Sequence, residues 1–68
     1  MPYVKIELLK GRSEEQKARI AEAVTAALVE HAGATAESTF IVFDDVEAWN
    51  WAGAGRLMSR KPSPPIRD

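Results

Sequence analysis

From Tyr3 to Leu9 apolar and polar residues alternate, with Val4, Ile6 and Leu8 on one side and Lys5 and Glu7 on the other. A period of two predicts a half-buried strand. Lys10-Gly11-Arg12 reads as a turn, and Ser13-Glu14-Glu15-Gln16 matches the capping box, in which serine and glutamine reciprocally satisfy two orphan amides. A helix is therefore predicted from Glu14. Ile20, Ala23, Val24, Ala27 and Leu28 recur at the three- and four-residue spacing of an apolar stripe, while Glu15, Arg19, Glu22 and Glu30 supply the solvated side. Gly33 stands where a left-handed C-cap is required.

Thr39 to Val46 is the second predicted strand, and Phe40, Ile41, Val42 and Phe43 run consecutively in it, as in a strand covered on both faces. The intervening helix has the length that a parallel crossover needs. The fold class is thus α/β (α+β), a single β-α-β unit forming one domain over residues 1–68. One helix covers only one sheet face, so the other face is expected to find its cover in another copy of the chain. Glu47 to Leu57, with two tryptophans and an Ala-Gly-Ala-Gly run, reads as a loop or short C-terminal hairpin. Residues 61–68, rich in proline, are expected to form an extended arm or frayed tail.

Composition narrows the chemistry. A chain of 68 residues with no cysteine has neither disulfides nor thiolate metal sites, and a lone His31 late in the helix cannot build a metal cage without carboxylate help. Self-association is the remaining support for a core this small, which buries only about 60% of the unfolded surface. Nine basic against ten acidic residues, a net charge of -1, argue against a nucleic-acid partner. No run reaches the roughly 18 apolar residues of a membrane span, and the N-terminus does not read as a signal peptide, so a cytoplasmic location is expected.

The unusual residue is Pro2. Initiator methionine is generally removed ahead of a small residue, which would leave a secondary amine at the head of a strand. An N-terminal amine titrates near 7.7–8.0, close enough to neutrality for general-base work. On its own Pro2 reads as an ordinary processed terminus, since many proteins begin Met-Pro.

MPYVKIELLKGRSEEQKARI, with proline after methionine, an alternating strand, Gly-Arg-Ser and a capped helix, resembles the opening of the 4-oxalocrotonate tautomerase family. The resemblance continues through the second strand into WNWAGAG and spans roughly residues 2 to 58. It implies a β-α-β protomer assembled as a homohexamer, a trimer of dimers. The amino-terminal proline would move protons on small 2-oxo or 2-hydroxydienoic acids with no cofactor. Pro2 falls on the family's catalytic base, Arg12 on the arginine that binds the carboxylate of a small substrate, and Trp51 on the aromatic that makes the pocket apolar. The bland alternatives are a solvated turn residue for Arg12 and packing under the hairpin or at a subunit contact for Trp51.

Phe40 departs from the pattern. The best-known tautomerase of the family has a second arginine there, contributed from a neighbouring subunit, that polarises the substrate carbonyl. Losing such a donor can cost about 10² to 10³ in rate, which puts efficient turnover of a dicarboxylate muconate in doubt. Phe40 with Trp51 would instead suit a monocarboxylate bearing an aromatic or alkyl group, and Arg56 and Arg60 are candidate replacement cations. Two other readings compete: hydration or dehalogenation of a small unsaturated acid, which needs a group to activate water that the sequence places at neither Glu7 nor Asp45, and a non-catalytic oligomeric binding protein.

Overall fold

In the computed structural model, which describes residues 1–60, strand β1 spans Tyr3–Leu9, helix α1 Glu14–Ala32 and strand β2 Phe40–Val46. A hairpin of two short strands, β3 at Ala52–Gly53 and β4 at Arg56–Leu57, completes the order. The proline-rich stretch 61–68, expected as an arm or tail, lies outside the described residues.

The predicted signals act where the sequence puts them. Ser13 Oγ accepts from the Gln16 N–H at 3.1 Å, and the Gln16 side chain accepts from the Ser13 N–H at 2.9 Å, closing the capping box. Glu14 and Glu15 sit in the first turn, where the helix dipole favours negative charge. At the other end Gly33 takes φ 71°, and the N–H groups of Gly33 and Ala34 both turn back to the Leu28 carbonyl. A Cβ there would meet the usual penalty of the left-handed region, which glycine avoids.

β1 and β2 pair in parallel from Tyr3↔Phe40 to Leu9↔Val46. Partners in a parallel ladder share a face, so Val4, Ile6 and Leu8 stand beside Ile41, Phe43 and Asp45. That face lies under α1. Lys17, from the helix, donates to Asp45 Oδ2 at 2.6 Å and identifies it. The helical stripe is offset from the expected one. Lys17, Ile20, Ala21, Val24, Thr25 and Leu28 are the half-buried positions, whereas Ala23 and Ala27 are exposed. The inward positions include Lys17, whose ion pair with Asp45 hydrophobic periodicity cannot reveal.

The second strand also starts one residue later than expected. Thr39 belongs to the preceding turn, where its hydroxyl donates to the Thr35 carbonyl at 2.8 Å. Phe40 and Val42 point away from the helix and are 50% and 42% exposed. The head half of the opposite face therefore has no cover from within the described residues. That opposite face carries Tyr3, Lys5 and Glu7 from β1 beside Phe40, Val42 and Asp44 from β2, with Lys5 Nζ 3.7 Å from both Glu7 and Asp44. Among the described residues none is fully buried. The core of one protomer is a half-dry layer between helix and sheet.

The β3–β4 turn runs through Ala54 at φ 53° and Gly55 at φ 77°. Both central residues with positive φ suit a two-residue hairpin, and alanine is the costly occupant of the two. Ala54→Asn should stabilise the hairpin by roughly 1 kcal/mol, since asparagine tolerates this conformation. The expected outcome is a higher urea midpoint at fixed protein concentration. An unchanged midpoint would show that the hairpin opens before the rest of the fold.

Candidate active site

Parallel pairing puts both strand heads at one end of the sheet and both strand tails at the other. At the head end Pro2 precedes β1, and the Phe40 N–H donates to the Pro2 carbonyl at 3.0 Å. This bond extends the ladder by one step and holds the two residues side by side. Pro2 is partly buried, while Met1 before it lies outside the strand and is 90% exposed.

The tail end gathers different groups. Lys10 N–H donates to the Val46 carbonyl at 2.9 Å, and Lys10 Nζ bonds Glu47 at 3.0 Å, so the chain leaves both strands pinned together. Gly11, at φ 138°, turns the chain, and Arg12 folds back so that its Nη1 donates to the Leu9 carbonyl at 3.2 Å. Most of the five guanidinium donors of the exposed Arg12 remain available for an anion. After β2 a single turn at Ala48–Asn50 delivers Trp51 back over the open face of the sheet. There Trp51, Glu7, Val46, Asn50 and Ala52 line an open cleft of about 320 Å³. The Met58 N–H donates to the Trp51 carbonyl at 2.8 Å, so the hairpin braces the aromatic from behind.

The expected site residues thus fall into two groups. Pro2 and Phe40 stand together, as do Arg12 and the strand tails that carry the Trp51 cleft. The groups are separated by the length of β1, about 23 Å at 3.3 Å per residue, well beyond the reach of an arginine side chain. One protomer does not bring Pro2 to Arg12.

Other candidates also find their places. His31 is exposed in the last helical turn, 4.0 Å from Glu30. Arg56 and Arg60 ride on the hairpin segment at the Trp51 end and not beside Pro2. Of the two carboxylates considered for activating water, Asp45 is engaged by Lys17 beneath the helix, whereas Glu7 lines the Trp51 cleft. Asn50 had no signal as a pocket residue, and Glu7 none beyond its carboxylate. Glu7 lies on the polar side of an alternating strand, and only the return of the chain after β2 shows that this side is roofed.

These elements coincide with known proteins. Residues 2–61 match the family model described as tautomerase enzyme. The 2-hydroxymuconate tautomerase of Comamonas testosteroni is 47% identical over 55 residues, covering 81% of this chain and 87% of that protein. The crystal structure of YwhB, a homologue of 4-oxalocrotonate tautomerase, superposes with a TM-score of 0.86 at 34% identity, over 90% of this chain and 100% of that one. A heterohexameric 4-oxalocrotonate tautomerase from Chloroflexus aurantiacus gives 0.83 at 30% identity, over 88% and 97% of the two chains. Sequence, fold and the order of the elements agree along nearly the whole length, and the chain belongs to the 4-oxalocrotonate tautomerase family, as an isomerase of the tautomerase type.

Proposed function

We propose that the chain, once Met1 is removed, catalyses cofactor-independent keto–enol tautomerisation of small 2-oxo or 2-hydroxydienoic acids, with the Pro2 amine as general base. The observation that carries this reading is the placement of Pro2 at the head of β1, behind a methionine that is 90% exposed and outside the ladder. An aminopeptidase can reach that residue without opening the sheet. The amine left behind sits on a rigid strand, held by the Phe40 bond to the Pro2 carbonyl.

The neutral secondary amine takes the proton of the enol hydroxyl and returns a proton to the carbon that becomes saturated, so no electrons change hands. Arg12 presents its fork to the substrate carboxylate and withdraws charge as the enolate forms. Trp51 walls the cleft with an apolar surface that disfavours the protonated amine. Because Pro2 and Arg12 lie at opposite ends of one sheet, this chemistry needs two copies arranged head to tail. An antiparallel pair related by a twofold axis brings each head to the partner's tail, and it generates two such sites at once. The uncovered face with Phe40 and Val42 supports further association, for which the homohexamer implied by the family is the expected form. A cytoplasmic setting and a small carboxylate as the only partner besides other copies complete the reading.

Hydration of an unsaturated acid is a second reading, favoured by one observation: Glu7 shares the Trp51 cleft, where a carboxylate could polarise water. Product analysis by NMR separates the two, since hydration adds oxygen to carbon and tautomerisation does not.

Light scattering at micromolar concentration should give an oligomeric mass, six copies on this reading, and a monomer with a folded circular dichroism spectrum would count against shared sites. Arg12→Ala should lower kcat/KM for a carboxylate substrate by about 10- to 100-fold, the equivalent of a charge-assisted hydrogen bond of roughly 1.5–3 kcal/mol. Unchanged kinetics would return Arg12 to the role of a solvated turn residue. For the Pro2 base, kcat/KM should rise with pH through a single ionisation, because the ammonium form present at low pH has no lone pair to accept a proton. A sample retaining Met1, verified by intact mass, has an amide at this nitrogen and should be inactive. Equal rates for retained and processed samples would overturn the proline mechanism.

A further inference from the structure

We infer that Lys17 and Asp45 are positioning residues for Arg12, their ion pair fixing the turn that presents the guanidinium; this rests on the reading of Arg12 as the carboxylate binder. Three consecutive residues at the tail of β2 hold both sides of that turn. Asp45 Oδ2 accepts from Lys17 Nζ at 2.6 Å, the Val46 carbonyl accepts from the Lys10 N–H at 2.9 Å, and Glu47 accepts from Lys10 Nζ at 3.0 Å. Arg12 stands between the two lysines along the chain, so β2 grips the turn before it and after it.

The turn does not restrain itself. Gly11 bends it at φ 138°, and a Cβ there would find no atom within 4 Å, so no packing limits its movement. Arg12 is exposed, and its Nη1 bond to the Leu9 carbonyl, at 3.2 Å, is a contact within the same turn. An exposed arginine on a loose turn gives up rotamer freedom when an anion binds, and holding it beforehand lowers that cost. The helix start is the part that can be held from outside. Ser13, directly after Arg12, is bonded in both directions to Gln16, and its carbonyl accepts from the Lys17 N–H at 3.1 Å. Lys17 therefore carries the position of β2 through one helical turn to the residue beside Arg12. Among the described residues its bond to Asp45 is the shortest ion pair and has the least exposed cation, 24% against 48% or more in the others. Partial burial shields this pair from salt better than its exposed counterparts.

The test is a double-substitution cycle on the Met-processed oligomer, with the enol of phenylpyruvate as probe. Asp45→Asn keeps the shape of the side chain and removes its charge. It should lower kcat/KM by about 5- to 30-fold, mainly through KM, since a misplacement of about 1 Å can cost about 10²-fold and the Lys10 contacts remain. Added to Arg12→Ala, the same substitution should cost less than about twofold more, because it acts only through the guanidinium. Asp45→Glu, which keeps the charge, should recover most of the loss. Calorimetric binding of benzoate should weaken in Asp45→Asn by a similar factor and reads the effect without turnover. Fully additive losses in the double variant overturn the inference, as a merely structural role would produce them; so does an unchanged KM in an Asp45→Asn protein of native mass and circular dichroism. Either result leaves Arg12 as the carboxylate binder. An Arg12→Ala protein as active as wild type removes that reading and this inference together. If Asp45→Asn does not fold, Lys17→Met takes its place in the cycle.

Discussion

One helix can dry only one face of a sheet, and the rest of this structure follows from that limit. α1 covers Val4, Ile6, Ile41 and Phe43, while the other face presents Tyr3, Phe40 and Val42 to solvent. Apolar area is the main source of stability, at roughly 25 cal/mol per Å² removed from water, and here half of the available sheet has been left uncollected. Conformational entropy must still be met for every ordered residue. With no fully buried side chain among the described residues, the protomer leaves the head half of its open sheet face without a dry layer.

The same geometry explains why the reactive groups are divided. A parallel crossover must bring the chain back to the starting end before β2 begins, so strand heads cluster with heads and tails with tails. Turn and loop residues such as Arg12 and Trp51 belong to the tails, and a terminal residue such as Pro2 belongs to the heads. On the proposed reading, with the base at the terminus and the anion binder in the first turn, a single β-α-β unit cannot close a site alone. Lys17 and Asp45 contribute to this rigidity: their 2.6 Å contact ties helix to sheet at the tail end, close to where Arg12 leaves the strand.

Local chemistry was readable from the sequence to within a residue. The capping box at Ser13 and Gln16, the glycine cap at Gly33 and the alternation of β1 each depend on neighbours a few positions apart, and the chain writes them openly. The offset of the helical stripe, with Ala21 and Thr25 inward in place of Ala23 and Ala27, accompanies a Lys17 contact with a residue 28 positions away, which local spacing does not show. Thr39 was lost from β2 because its hydroxyl found the Thr35 carbonyl, a local competitor of the ladder. The family resemblance named the candidate residues, but their division between the two ends of the sheet was not legible, since spacing along a chain carries no distance across a crossover. Glu7 entered the Trp51 cleft for the same reason.

The crossover also bears on how the chain is made. Lys10 and Glu47, which close the two strands at the tail end, are 37 positions apart. At about 5–20 residues per second of synthesis, β1 leaves the ribosome roughly 2–7 s before its partner is complete. During that interval it is a bare strand with both edges open, the kind of segment that recruits strands from other chains. Lys5 and Glu7 interrupt its apolar run with opposite charges, and the capped helix that follows is able to form from local contacts alone. Charges on one face of β1 are thus the kind of feature that blunts an exposed strand before its partner arrives.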